Sequence, residues 1–296
     1  MSICVIGSSN VDISVFVEKL PQKGETLLGH EMTTSFGGKG ANQAIASAKL
    51  GGQVSFLTCL GEDDFGDQIL SNLKQLKIDT KQIKWSKKNP TGTAIITIDH
   101  QGQNTIVVNP GANGDCDIEY LKNNQEHILK SDLILLQMEI PLDAIEYAIR
   151  LAHQHDKQVI LNPAPALADL NQELYSMIDY LTPNESELLI MAQQDDFEAS
   201  IQQLLAWGVK NLIITMGKQG ALWVTKQQRQ LIKAYPVVAI DTVGAGDCFN
   251  GAFVSALSRD EPIKDAIRFA NKAASIAVTR KGAQDSIPTL KELNIR

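Results

Sequence analysis

The strongest constraint on how this chain can fold is a rhythm. Short, mostly apolar runs recur at 3–6, 54–59, 133–138, 159–161, 180–181 and 212–215, and stretches with apolar residues at helical spacing lie among them at 65–76, 145–153, 185–192 and 197–207. A run that is apolar at nearly every position suits a strand buried on both faces, as in a parallel sheet covered by helices on each side. The expected fold is α/β, a doubly wound, mostly parallel, Rossmann-like sheet. Ligands in such sheets sit beyond the carboxyl ends of the strands. The candidates there are Glu139, Asn162-Pro163-Ala164-Pro165, Asn184-Glu185-Ser186-Glu187 and Thr215-Met216-Gly217-Lys218-Gln219-Gly220. At 296 residues and 44% hydrophobic content the chain can bury a large core, and no linker, repeat or low-complexity tract divides 1–296.

Three segments break the rhythm. Residues 11–17, 28–36 and 91–109 are short, alternating and β-branched, with a Gln101-Gly102 turn inside the last. They predict a small separate sheet forming a lid, whose edges need covering by another copy of the protein. The first strand, 3–6, leads into Gly7-Ser8-Ser9-Asn10-Val11-Asp12, which lacks the spacing of a dinucleotide-binding glycine motif. Asn10 and Asp12, two apart on a strand, point to one face.

Two glycine turns stand out. Gly37-Gly38-Lys39-Gly40-Ala41-Asn42-Gln43-Ala44 is not a P-loop, because glycine follows Lys39 and Thr33 stands where the leading glycine belongs. It predicts a tight turn presenting Lys39 and Asn42 to a small polar ligand, backed by a helix over 42–50. Asp241-Thr242-Val243-Gly244-Ala245-Gly246-Asp247 follows an apolar run, 237–240, read as a buried strand, and precedes helical spacing from 247 onward. Gly244, Ala245 and Gly246 then leave N–H groups uncovered at the positive end of a helix, where an oxyanion or phosphate is stabilised. Asp247 beside them is either a proton acceptor for a hydroxyl or a helix cap.

The net charge of -7 and pI near 5.3 argue against a nucleic-acid or anionic-membrane surface. Cys4, Cys59, Cys116 and Cys248 form no Cys-x-x-Cys pair, which fits a reducing cytoplasm, and Cys248 reads as half-buried packing. His153 and His155 face different ways on a helix and do not make a metal pair. Without a leader or an apolar stretch of spanning length, the protein is expected to be soluble and unexported.

Gly37 to Ala44 and Asp241 to Asp247 resemble the two signatures of the ribokinase-like (PfkB) carbohydrate kinase family. Asn10-Val11-Asp12, Glu139, Asn162 to Pro165, Thr182-Pro183-Asn184-Glu185 and Thr279-Arg280-Lys281-Gly282-Ala283-Gln284 extend the resemblance nearly end to end. It implies ATP-dependent phosphorylation of D-ribose at O5. Asp247 would be the general base and Gly244, Ala245 and Gly246 the anion hole. Asn10, Asp12, Gly38, Lys39, Asn42 and Glu139 would hold the sugar. Thr215, Met216, Gly217, Lys218, Gln219, Gly220, Gly246 and Asn271 would line the nucleotide, with Asn184 near its phosphates. Glu187 would serve Mg²⁺ through water. Asp241, Ser286 and the carbonyls of Val243, Ala277, Arg280 and Gly282 would bind a monovalent cation, K⁺. A homodimer through the lid sheet also follows. The alternatives are a deoxyribokinase, another small-sugar or nucleoside kinase of the family, and a catalytically silent sugar-binding sensor.

Overall fold

The structure is a computed structural model and describes residues 1–294. Strand β1 (Ile3–Ile6) leads to β2 (Asn10–Phe16) and β3 (Glu31–Gly37), then α1 (Lys39–Lys49) and β4 (Val54–Leu57). Next come β5 (Cys59–Gly61), α2 (Asp64–Gln75), β6 (Lys84–Ser86), β7 (Gly92–Ile98), β8 (Asn104–Asn109), α3 (Ile118–Asn123) and α4 (Gln125–Leu129). The rest alternates: β9 (Leu133–Leu136), α5 (Leu142–Gln154), β10 (Gln158–Leu161), β11 (Tyr180–Leu181), α6 (Glu185–Ala192), α7 (Phe197–Ala206) and β12 (Asn211–Thr215). A hairpin, β13 (Gly220–Val224) and β14 (Arg229–Lys233), precedes α8 (Ala245–Leu257), α9 (Ile263–Ala277) and α10 (Leu290–Asn294).

Eight strands form the main sheet in the order β14-β13-β12-β11-β10-β9-β1-β4, parallel except at β13 and β14. The apolar runs serve two cores at once. Ile3, Val5, Leu133 and Leu135 enter a cluster with residues of α1, α8 and α9, while Cys4, Ile6, Ile134 and Leu136 enter another with residues of α5, α6 and α7. Strand order turns back between β1 and β9, so the segments leaving these two strands, Gly7 to Asn10 and Gln137 to Glu139, border the crevice where such sheets bind ligands. A separate four-stranded sheet, β3-β2-β7-β8, springs from this point, and every residue of β8 is exposed.

Several expectations need correction. Residues 237–240 are not a strand: they pair with no strand, and Val238 is 86% exposed. Their apolarity serves a cavity wall instead, to which Val237 and Ala239 contribute. The run at 54–59 is two strands, because β5 leaves the main sheet to pair with β6. The segment read as 28–36 becomes a strand only at Glu31, and Leu28 is 93% exposed. Helix α1 begins at Lys39, not 42, and α8 at Ala245, not 247. Cys248 is fully buried, not half-buried, and all four cysteines are buried free thiols. Among the described residues no helix is long and apolar enough to cross a membrane.

Candidate active site

The site is built where α8 starts. Gly244 is its N-cap at φ 72, a left-handed conformation that favours glycine, and a Cβ there would lie 2.9 Å from the Ala283 backbone. The Ala245 N–H donates to the Thr242 carbonyl at 3.2 Å, so its place in the expected anion hole is already engaged. The N–H groups of Gly246 and Asp247 have no acceptor among the described residues. In front of Gly246 nothing would meet an added Cβ within 4 Å, which leaves an open cradle at a helix N-terminus.

Asp247 is 7% exposed and does not cap the helix. A cap would accept backbone N–H groups. Here Oδ2 accepts from Asn42 Nδ2 and Oδ1 from Gln43 Nε2, both at 2.9 Å. The two partners lie on α1, brought close because α8 carries glycine at 251, where a Cβ would sit 2.4 Å from that of Ala46. A buried aspartate held by neutral amides, beside two free N–H groups, is arranged to accept a proton next to a stabilised anion.

On one side of Asp247 lie the expected sugar residues. Glu139 Oε2 accepts from Ser8 Oγ at 2.5 Å and from the Lys39 N–H at 2.9 Å, and Gly38, buried, is the N-cap of α1. Asn10, 4% exposed, is oriented by Asn113 Nδ2, which donates to its Oδ1 at 2.7 Å. Burial, then the charges of Glu139 and Asp247, push the Asp12 carboxyl up to about 6. Burial works against the Lys39 charge, but Asp247, Glu139 and Glu187 together hold its ammonium above the ordinary lysine value. The charges of Asp12, Lys39, Glu139 and Asp247 therefore share one electrostatic neighbourhood, although they come from four parts of the chain.

On the other side is a cavity of about 560 Å³. Thr215, Gly217, Lys218, Gly220, Gly246 and Asn271 line it as expected, together with Tyr235, Val237, Ala239, Ala274 and Val278, an apolar wall the sequence reading missed. Met216 and Gln219 are not among its walls, and Met216 packs against the core instead. Asn271 Nδ2 donates to the Ile232 carbonyl at 2.8 Å and so ties α9 to β14.

Asn184 and Glu187 form a capping box, each side chain accepting the other's backbone N–H at 2.8 Å. Glu187 keeps one oxygen without a donor among the described residues; burial, then the Asp247 charge, raise its carboxyl, while the Asn184 N–H and Lys39 oppose the rise. Asp241 accepts from Val243 N–H at 3.0 Å and Gly282 N–H at 2.9 Å, which staples the 241–247 turn to the segment after α9. The carbonyls of Val243, Arg280 and Gly282 have no donor among the described residues, whereas that of Ala277 accepts from the Arg280 N–H. Ser286 Oγ donates to the Ala283 carbonyl at 2.9 Å. Among the described residues no group of three or more His, Cys, Asp or Glu could hold a metal ion.

The chain is similar to known proteins over nearly its whole length. A ribokinase of Bacillus subtilis is 44% identical over 292 residues, covering 99% of this chain and 98% of that protein. A deoxyribokinase of Salmonella typhi is 37% identical over 299 residues, covering 99% and 98% respectively. The structure of Arabidopsis thaliana ribokinase complexed with ribose and ATP superposes with a TM-score of 0.88 at 32% identity, over 99% of this chain and 97% of that one. The model of the pfkB family carbohydrate kinases matches residues 1–290, and the chain belongs to that family.

Proposed function

We propose that this protein transfers the γ-phosphoryl group of ATP to O5 of D-ribose, giving D-ribose 5-phosphate and ADP. The observation that carries this reading is Asp247: buried, amide-held, and standing between a nucleotide-sized cavity and a cluster of hydroxyl-binding residues. Ribose fits the cluster because Asp12 and Glu139 accept from vicinal hydroxyls while Lys39 and Asn10 donate. O5 then faces Asp247, which takes its proton as the oxygen attacks phosphorus. The N–H groups of Gly246 and Asp247 meet the charge on the transferred group. The four-stranded sheet acts as a lid that excludes water from this centre, and the chain forms a homodimer through its exposed strands.

Mg²⁺ neutralises the phosphate charges when bound with the nucleotide. Glu187, with Asn184, would hold it through water, the remaining donors being phosphate and water oxygens. The unpartnered carbonyls of Val243, Arg280 and Gly282 fit a weakly hydrated monovalent cation, with Asp241, Ala277 and Ser286 completing its surroundings. K⁺ there would brace the turn that carries Gly246.

The test is a sugar panel assayed by ADP release in potassium and in sodium buffers. Ribose should be the preferred acceptor, with faster turnover in K⁺. The 37% identical deoxyribokinase makes 2-deoxyribose the informative competitor. A site built to bond the 2-hydroxyl should disfavour its absence by about 10⁴-fold. Equal efficiency on both sugars overturns the ribose assignment, and tight ribose binding without ATP consumption would mark a silent sensor.

A further inference from the structure

We infer that Gln43, held in one orientation by Gln137 and Asn162, is the positioning residue that sets the carboxylate of Asp247; the inference rests on Asp247 being the base. A glutamine amide has two ends of nearly the same shape and opposite polarity, so its environment decides which end faces the base. The polarity here starts from a backbone carbonyl, which can only accept. Asn162 Nδ2 donates to the Thr182 carbonyl at 3.0 Å, which turns Asn162 Oδ1 toward Gln43. Gln43 Nε2 donates to that oxygen at 2.9 Å and to Asp247 Oδ1 at 2.9 Å. On its far side Gln43 Oε1 accepts from Gln137 Nε2 at 2.8 Å. Reversed, the Gln43 amide would set an oxygen against two acceptors and an N–H against a donor.

Gln137 is the second anchor of this order. It is fully buried, and its Oε1 is, among the described residues, a buried polar atom with no hydrogen-bond partner. Leaving such an acceptor unpaired costs about 1–3 kcal/mol. That oxygen lies against Gly7, where an added Cβ would stand 2.1 Å away. A residue present for packing alone would be apolar here. The part of this amide that acts is its N–H end, which reaches the base through Gln43. The amides of Asn42 and Gln43, one on each oxygen of Asp247, fix the plane of its carboxylate.

Three variants, Gln137→Met, Gln43→Glu and Asp247→Asn, test this with ribose and ATP, reading thermal melting, kcat, KM and the pH profile of kcat. Gln137→Met removes the N–H and the orphaned oxygen at similar volume. It should melt within a few degrees of the parent and keep KM for the sugar, while kcat falls about 10- to 100-fold. Its acidic limb should also shift, because the Gln43 amide, no longer held by the Gln137 N–H, is free to turn its oxygen toward the carboxylate. Gln43→Glu places a second carboxyl beside the base, and the pair sharing a proton should move that limb up. Unchanged kcat and acidic limbs in both variants overturn the proposal. So does a fall in melting temperature accompanied by a rise in KM with no shift of the limb, the pattern of a purely structural role. If Gln137→Met does not fold, Gln43→Glu decides alone. Failure of the base reading would show differently, as retained turnover in Asp247→Asn.

Discussion

Asp12 lies where its charge is disfavoured. Its raised value, about 6, means that the folded protein binds the Asp12 proton more tightly than the unfolded chain does. The stabilisation belonging to this group is complete below the ordinary aspartate range and is lost as pH rises through about 6. Asp12→Asn removes that loss, so the variant should gain on the parent as pH climbs from 4 to 7.5. The gain should reach about 2 kcal/mol after allowance for partial solvent screening, read from paired thermal melts. A difference independent of pH would contradict the assignment. Ribose affinity in the parent should rise over the same interval, because the ionised carboxylate accepts from two hydroxyls. Asp247→Asn acts on a different step. It leaves a neutral side chain of the same shape that cannot take a proton, so kcat should fall about 10²–10⁴-fold with little change in KM, measured by ADP release.

At the scale of elements, the first turn of α8 separates two uses of glycine. Gly244 is needed by the backbone: at φ 72, with Ala283 2.9 Å from any added Cβ, Gly244→Ala should destabilise the fold by about 1–2 kcal/mol in denaturant titration. Gly246 is not needed by the fold, since nothing stands within 4 Å of its added Cβ. Gly246→Ala should therefore fold with unchanged or slightly raised stability, as expected for alanine in a helix. Its methyl would occupy the cradle proposed for the transferred phosphoryl, so turnover should drop at least tenfold. Equal activity of Gly246→Ala and the parent would remove the anion hole from this turn. Both glycines are visible in the sequence as one motif, and only the surroundings, Ala283 on one and open space before the other, tell them apart.

At the scale of the whole molecule, the four-stranded sheet leaves apolar surface uncovered. Met32, Ile95, Ile106, Val107 and Val108 are between 44% and 68% exposed, and β8 is an edge strand. Register pairs Asp12 with Ala94 and Ala94 with Val108, so Val108 shares the face of Asp12, while Val107, paired with Ile95, lies on the opposite face. Edges and patches of this kind are normally covered. Replacing Ile106 and Val107 together by Lys, one on each face, should convert a dimer to a monomer in sedimentation and lower activity. A parent protein of monomer mass at every concentration would overturn the dimer.

Local pattern was enough for the parallel strands and most of the helices, because continuous apolar runs and helical spacing are written within a few residues of each other. It was enough, too, to set Glu139, Asn184 and Thr215 at the ends of parallel strands, whereas Asn10, Asp12 and Lys39 were joined to Asp247 by the family resemblance, because they lie on the lid strand and on a glycine turn and not at the ends of the main sheet. It could not tell a buried strand from a cavity wall at 237–240, where the same apolar residues meet a ligand-sized space. Nor could it decide whether Asp247 capped a helix. That was settled by Asn42 and Gln43, more than 200 positions away, and by the buried amides of Gln137 and Asn162 behind them. Hydrogen bonds of this reach leave no periodicity in the chain. They exist because α1 and α8 pack closely enough for one carboxylate and two neutral amides to satisfy one another.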